Sequence, residues 1–197
     1  MKKLLTEWRK YLKENTGGVF YHLSPAKFDE FRQQMATNPA ISSDVGFHFG
    51  TKETAMTVAD KLQKDGKIDS GDPVYLYTVN LNTGKTMDLA ENRSGTWTVN
   101  SALQAIFEGF NGDAHPAIPD EMVEDYYDDV VMSPSGENIK DLSFQPEEEM
   151  EEFINWFTSL GFDSIKYDNT FEGGGDSFIV FRPEQIRIVD TKEYRMP

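Results

Sequence analysis

The stretch Asn169-Thr170-Phe171-Glu172-Gly173-Gly174-Gly175-Asp176-Ser177-Phe178-Ile179-Val180-Phe181-Arg182-Pro183-Glu184-Gln185-Ile186 decides how the rest of the chain is read. Three consecutive glycines destabilise the interior of any helix or strand, so residues 173–175 read as a turn. The apolar run at 178–181 has the length of a strand, Pro183 interrupts it, and a second run at 185–189 follows. Upstream, residues 163–167 form another strand-like run ending just before the turn. Near the C-terminus strands outnumber helices and no regular βαβ alternation appears, which implies an α+β architecture rather than a doubly wound sheet. Two carboxylates, Glu172 and Asp176, flank the glycines, where the backbone is free to approach a ligand closely.

Working outward, Pro146 opens a helix over 147–160 with Gly161 as its stop. Strands are expected at 19–22, 45–50 and 73–81. Helices are expected at 51–64, where Thr51 precedes Glu53 and Thr54 in N-cap fashion, and at about 98–110. Residues 1–16 read as an amphipathic basic helix, a targeting or docking peptide, with Leu4, Leu5, Trp8 and Leu12 opposite five lysines and arginines. The remainder, 17–197, reads as one domain carrying an irregular acidic insertion at about 84–150.

The formal charge of -15 is concentrated. From 108 to 152 there are fifteen acidic residues and one lysine. Such a surface repels phosphate backbones, which disfavours nucleic acid and anionic membrane and suits a basic protein partner. No apolar run approaches the roughly 20 residues of a membrane span. With no cysteine there is no thiolate chemistry and no disulfide, which fits a cytoplasmic setting. The three histidines, 22, 48 and 115, are far apart and unsupported by cysteine, and the acidic cluster at Asp125, Asp128 and Asp129 lacks the spacing of a calcium loop, so no metal is expected.

Taken with Tyr21-His22-Leu23-Ser24, Gly46-Phe47-His48-Phe49 and Gly161-Phe162-Asp163-Ser164, the late stretch resembles the ADP-ribosyltransferase superfamily, most closely the small transferase-like domains of phage and polyvalent proteins. The resemblance covers roughly 19–81 and 150–190 and leaves the acidic middle unmatched. It implies a split β-sandwich with flanking helices and NAD as substrate. It also implies a mono-ADP-ribosyltransferase activity on a host protein or, as the alternative, a catalytically degenerate binding or virion module. Cleaving the nicotinamide–ribose bond builds positive charge on the sugar, so a fixed carboxylate nearby is required. By the resemblance His22 donates to a ribose hydroxyl, Leu23 with Ser24 offers backbone to the carboxamide where the family has glycine, and Phe47 with His48 frames the nicotinamide. The family's glutamate position falls on Ser177, so Glu172, or else Asp176, is expected to supply the charge.

Overall fold

A computed structural model describes residues 18–33, 44–90, 96–109, 112–126, 146–170 and 172–196. The basic helix expected at 1–16, and residues 127–145 of the acidic stretch, lie outside them. Seven strands run in chain order: β1 (Val19–Ser24), β2 (Phe47–Phe49), β3 (Pro73–Leu81), β4 (Thr86–Leu89), β5 (Ser164–Asp168), β6 (Asp176–Val180) and β7 (Ile186–Arg195). Four helices accompany them among the described residues: α1 (Lys52–Lys64), α2 (Val99–Phe107), α3 (Asp120–Tyr126) and α4 (Pro146–Ser159). The α+β class expected from the sequence is therefore the observed one.

Local chemistry sets most boundaries. Thr51 caps α1 by accepting a hydrogen bond from the Thr54 amide at 3.1 Å, and Thr98 does the same for Ser101 at the start of α2. Such caps are each worth about 1 kcal/mol. The strand expected over 45–50 shrinks to Phe47–Phe49, because Gly46 takes a φ of 76° and the Val45 amide bonds to the Trp97 carbonyl instead of a sheet neighbour. Gln185 fixes the break before β7: its side-chain oxygen accepts from the Phe181 and Arg182 amides, and its nitrogen donates to the Asp163 carbonyl.

The strands form two sheets. One is β1-β3-β7, antiparallel throughout; the other is β2-β6-β5-β4, in which only β4 and β5 run parallel. Strand alternation sends side chains to opposite faces and so orders the layers. Leu23, Val74 and Leu76 pack under α1 with Ala55 and Ala59. Tyr77, Val79 and Leu81 face the other sheet, meeting Phe47, Phe49 and Val180. Beyond that sheet, Ile165, Tyr167 and Ile179 pack against α2 and α4 through Ala102, Ile106, Phe153, Ile154 and Phe157.

Residues 84–150, expected as an insertion, contribute β4, α2, α3 and the start of α4. Met87, Leu89, Trp97 and Ile106 from this segment are all core residues.

Candidate functional site

The two sheets touch at one corner. Tyr21 on β1 and Gly50, just past β2, exchange backbone hydrogen bonds at 2.9 and 3.0 Å. β2 is the edge of its sheet, as β1 is of the other, so beyond this bridge the two edges part around a cleft of about 690 Å³. That is the size of a small-ligand or cofactor site. His22, Leu23, Ser24, Phe47, His48, Glu172 and Ser177 all line it.

His22 sits where the sheets meet. Its Nδ1 lies 2.9 Å from the carbonyl oxygen of His48. A carbonyl only accepts, so Nδ1 carries the proton. The rings of Phe28, Phe31, Phe49 and Tyr77 surround the imidazole at centroid distances of 5.3 to 6.4 Å. Burial among these rings lowers its pKa from 6.5 to about 4; the His48 carbonyl opposes that shift and the neighbouring His48 ring adds to it. The imidazole is thus neutral at pH 7, with its lone pair on Nε2. Nε2 has no hydrogen-bond partner, yet the sole buried side-chain nitrogen or oxygen without one among the described residues is Trp97 Nε1. His22 Nε2 therefore reaches open space, which here is the cleft. In this tautomer Nε2 can accept a hydrogen bond and cannot donate one.

The Tyr21–Gly50 bridge also decides what β1 shows. Backbone groups alternate sides along a strand, and those of Tyr21 point away from β3, so the N–H and C=O of Leu23 point the same way, to the seam. Its side chain is buried under α1 with Ala55 and Ala59. Ser24 accepts from the Ala26 amide at 3.1 Å.

His48 sits opposite in parity to Phe47 and Phe49, whose rings are core. Its Nε2 donates to the Val45 carbonyl at 3.1 Å, and the Tyr167 hydroxyl lies 3.5 Å from its Nδ1. The ring is tied into its own turn, and its edge, more than its face, is engaged.

Glu172 is held by the late turn. Asn169, 3% exposed, donates from Nδ2 to Glu172 Oε2 at 2.8 Å and accepts at Oδ1 from the Glu172 amide at 3.0 Å. This reciprocal pair fixes both backbone and carboxylate. The same Nδ2 donates to Ser177 Oγ at 3.3 Å. The turn closes through the Asn169 amide on the Gly175 carbonyl and the Gly174 amide on the Asn169 carbonyl. Gly173, Gly174 and Gly175 all have φ between 83° and 102°, a region side chains resist, so the glycines are needed for this closure. Thr54 at the start of α1 donates to the Gly174 carbonyl and docks the turn beside the cleft.

Asp176 does not join the site. It follows the alternation of Phe178 and Val180, opposite to Ser177, and its carboxylate pairs with Lys166 at 3.2 Å, where Asp88 also binds. Ser177, on the opposite face of β6, lines the cleft, and Asp176 does not. The other expected residues do share it. Among the cleft residues that the sequence reading passed over are Asn169 as the anchor of Glu172, and Tyr167 and Trp97, whose rings lie 4.6 Å apart.

No family model matches the chain, and no curated protein is similar to it. Among solved structures it is similar to one described as the crystal structure of the M. tuberculosis MbcT–MbcA toxin–antitoxin complex, with 11% identity, coverage of 92% of this chain and 86% of that chain, and a TM-score of 0.47. Among the described residues, no helix is long and apolar enough to cross a membrane.

Proposed function

We propose that the cleft takes NAD as a substrate and that the protein is an ADP-ribosyltransferase-like enzyme acting on the nicotinamide–ribose bond, with a protein as acceptor. One observation carries this reading: a carboxylate fixed by Asn169 lines the same cleft as the His22 imidazole, and a fixed carboxylate is what a sugar that becomes cationic requires. In the reaction the C–N bond breaks with its electron pair leaving on nicotinamide, and positive charge develops on the sugar. Glu172 opposes that charge, and its bonds to Asn169 mean that little reorganisation is needed at that moment. His22 Nε2 accepts from a ribose hydroxyl, and the Leu23 backbone meets the carboxamide beside Phe47 and His48. An acceptor nucleophile then bonds to the anomeric carbon and loses its proton.

The test is release of free nicotinamide from NAD by the purified protein, with and without cell lysate as a source of acceptor. Glu172→Gln should slow release by about 10²- to 10³-fold, the usual effect of removing one group that stabilises transition-state charge. Equal release by the variant rejects Glu172, and absence of saturable NAD binding rejects the site.

A second reading draws on Ser177. It is 1% exposed, accepts from Asn169, and stands where the resemblance puts the catalytic carboxylate. A serine there suits a binding module that has kept the cleft without the reaction. That reading expects saturable NAD binding and no nicotinamide release by the wild-type protein.

A further inference from the structure

The β1–β3 register sets Tyr77 directly opposite His22, and cross-strand partners share one face of a sheet. Tyr77 is 0% exposed, yet its hydroxyl is engaged outside both sheets. It accepts from the Phe28 amide at 2.7 Å and donates to the Ala26 carbonyl at 3.2 Å. Its ring also stacks on that of Phe28, with centroids 4.2 Å apart and planes 9° from parallel. Residues 25–31, which follow directly on β1, lie in neither helix nor strand. Backbone groups without a ladder need partners from elsewhere, and here a single phenolic oxygen serves two of them.

What this hydroxyl holds is a wall of the cleft. Pro25, Ala26 and Phe31 line it beside His22, and Phe28 and Phe31 supply two of the four rings around the imidazole. Tyr77 is not among the lining residues, so whatever it does for a ligand it does through this segment. Without the hydroxyl, the Phe28 amide and the Ala26 carbonyl would have to find water instead, which they reach by moving outward. Movement in that direction takes away part of the wall and lets water reach His22. We infer that Tyr77 is a positioning residue, whose hydroxyl holds residues 25–31 over His22 and so keeps the cleft in the form that binds NAD. This rests on the NAD reading of the cleft and deepens it, by naming what preorganises the His22 side as Asn169 does the Glu172 side.

The experiment uses Tyr77→Phe, which keeps the ring and its stack on Phe28 and removes only the hydroxyl. In the full-length, ¹⁵N-labelled protein without ligand, NMR follows hydrogen exchange of the Phe28 amide and the titration of the His22 ring protons. The variant should exchange that amide about tenfold faster, the effect of losing one hydrogen bond. Its His22 midpoint should rise from about 4 towards 6.5 as water enters. The other titratable groups around the imidazole, among them His48 on β2, Glu172 in the late turn and Asp29 in the segment, are the same in both proteins, so a rise reports the segment. NAD should bind the variant about tenfold more weakly, because a smaller fraction of it is in the binding form. In the wild-type protein, with nothing substituted, NAD should slow exchange of the Phe28 amide. An amide that stays protected in the variant, a midpoint that does not move, or equal NAD binding by both proteins overturns the role of Tyr77 and leaves the cleft reading intact. Wild-type protein that binds no NAD overturns the cleft reading and the proposal together.

Discussion

His22 and Glu172 line one cleft, but the protein holds them by opposite means. The imidazole is fixed by burial: four aromatic rings close around it, a single hydrogen bond to the His48 carbonyl sets its tautomer, and its proton affinity drops. The carboxylate is fixed by hydrogen bonds on a glycine turn, with an amide side chain gripping it from the buried side. The difference follows from what each group must remain. An imidazole that accepts a hydrogen bond at neutral pH has to be kept uncharged, and desolvation does that. A carboxylate that opposes a cation has to be held in place without being shut into an apolar cluster, and the bonds from Asn169 do that.

The most severe way to break the comparison is to open the aromatic side. Phe31 is 6% exposed and its ring meets those of His22, Phe28, Phe47, Phe49 and Tyr77. Phe31→Ala should destabilise the fold by about 3–5 kcal/mol, the usual consequence of emptying a buried phenylalanine site. Water entering the gap should also carry the His22 titration midpoint from about 4 back towards 6.5. Denaturant unfolding reads the first effect and histidine-proton NMR the second. A midpoint that stays near its wild-type value would mean that these rings are not what keeps the imidazole neutral.

Acid probes the same side without a cavity. Because the folded pKa of His22 is depressed to about 4 against 6.5 when unfolded, its neutral form favours the native state fully above pH 6.5. That contribution is lost as pH falls towards 4, because the unfolded chain takes up the proton first. The loss is at most on the order of 3 kcal/mol. His22→Asn keeps an N–H for the His48 carbonyl but cannot titrate. The stability gap between wild type and variant should narrow steadily between pH 6.5 and 4, while His115, also lowered by burial, is common to both proteins and cancels. A gap that does not depend on pH would remove the titration argument.

The polar side should respond differently. Asn169→Ala removes three side-chain hydrogen bonds at a buried position and should cost about 2 kcal/mol, with no dependence on pH between 5 and 8. It should also lower nicotinamide release nearly as far as Glu172→Gln does, since a carboxylate free to wander loses the benefit of preorganisation. Glu172→Gln, by contrast, can still accept from Asn169 and should leave stability within about 1 kcal/mol of wild type. Full activity in Asn169→Ala would show that the anchor serves the fold alone.

How far the sequence disclosed these two sides depended on whether the signal was local. Thr51 as a helix cap, the β3 strand and the triple-glycine turn were all legible because their physics lies within a few residues. β4 was not: Thr86–Leu89 is short and finds its parallel partner β5 nearly eighty residues later, so nothing nearby marks it as a strand. Trp97 was missed for the same reason, its position being set by Asp44 and Val45 far upstream. Asp176 was a different kind of miss. The two-residue period of β6 was present in the sequence, and once Ser177 is placed in the cleft it turns Asp176 away. The tautomer of His22 was not legible, because it is set by a partner, the His48 carbonyl, that arrives only through the bridge between sheets.

The smallest expected effect lies where the two sides meet. Gly50 forms the Tyr21 bridge of the aromatic seam, and a methyl group there would stand 2.8 Å from Ser177 Oγ, the far end of the Asn169 network. Thr54 is almost as close, at 3.1 and 3.2 Å, and it also holds the glycine turn. Gly50→Ala should therefore cost about 1 kcal/mol by overpacking. Ser177→Ala alone loses one long hydrogen bond but vacates the space the new methyl group needs. In the double variant the cost of Gly50→Ala should fall, giving a coupling of roughly 0.5 kcal/mol in a double-mutant cycle. A coupling of that sign means that the imidazole side and the carboxylate side are positioned against each other through Gly50, so that moving one moves the other. Strict additivity would mean that Thr54 alone sets the spacing, and that the two walls of the cleft are built independently.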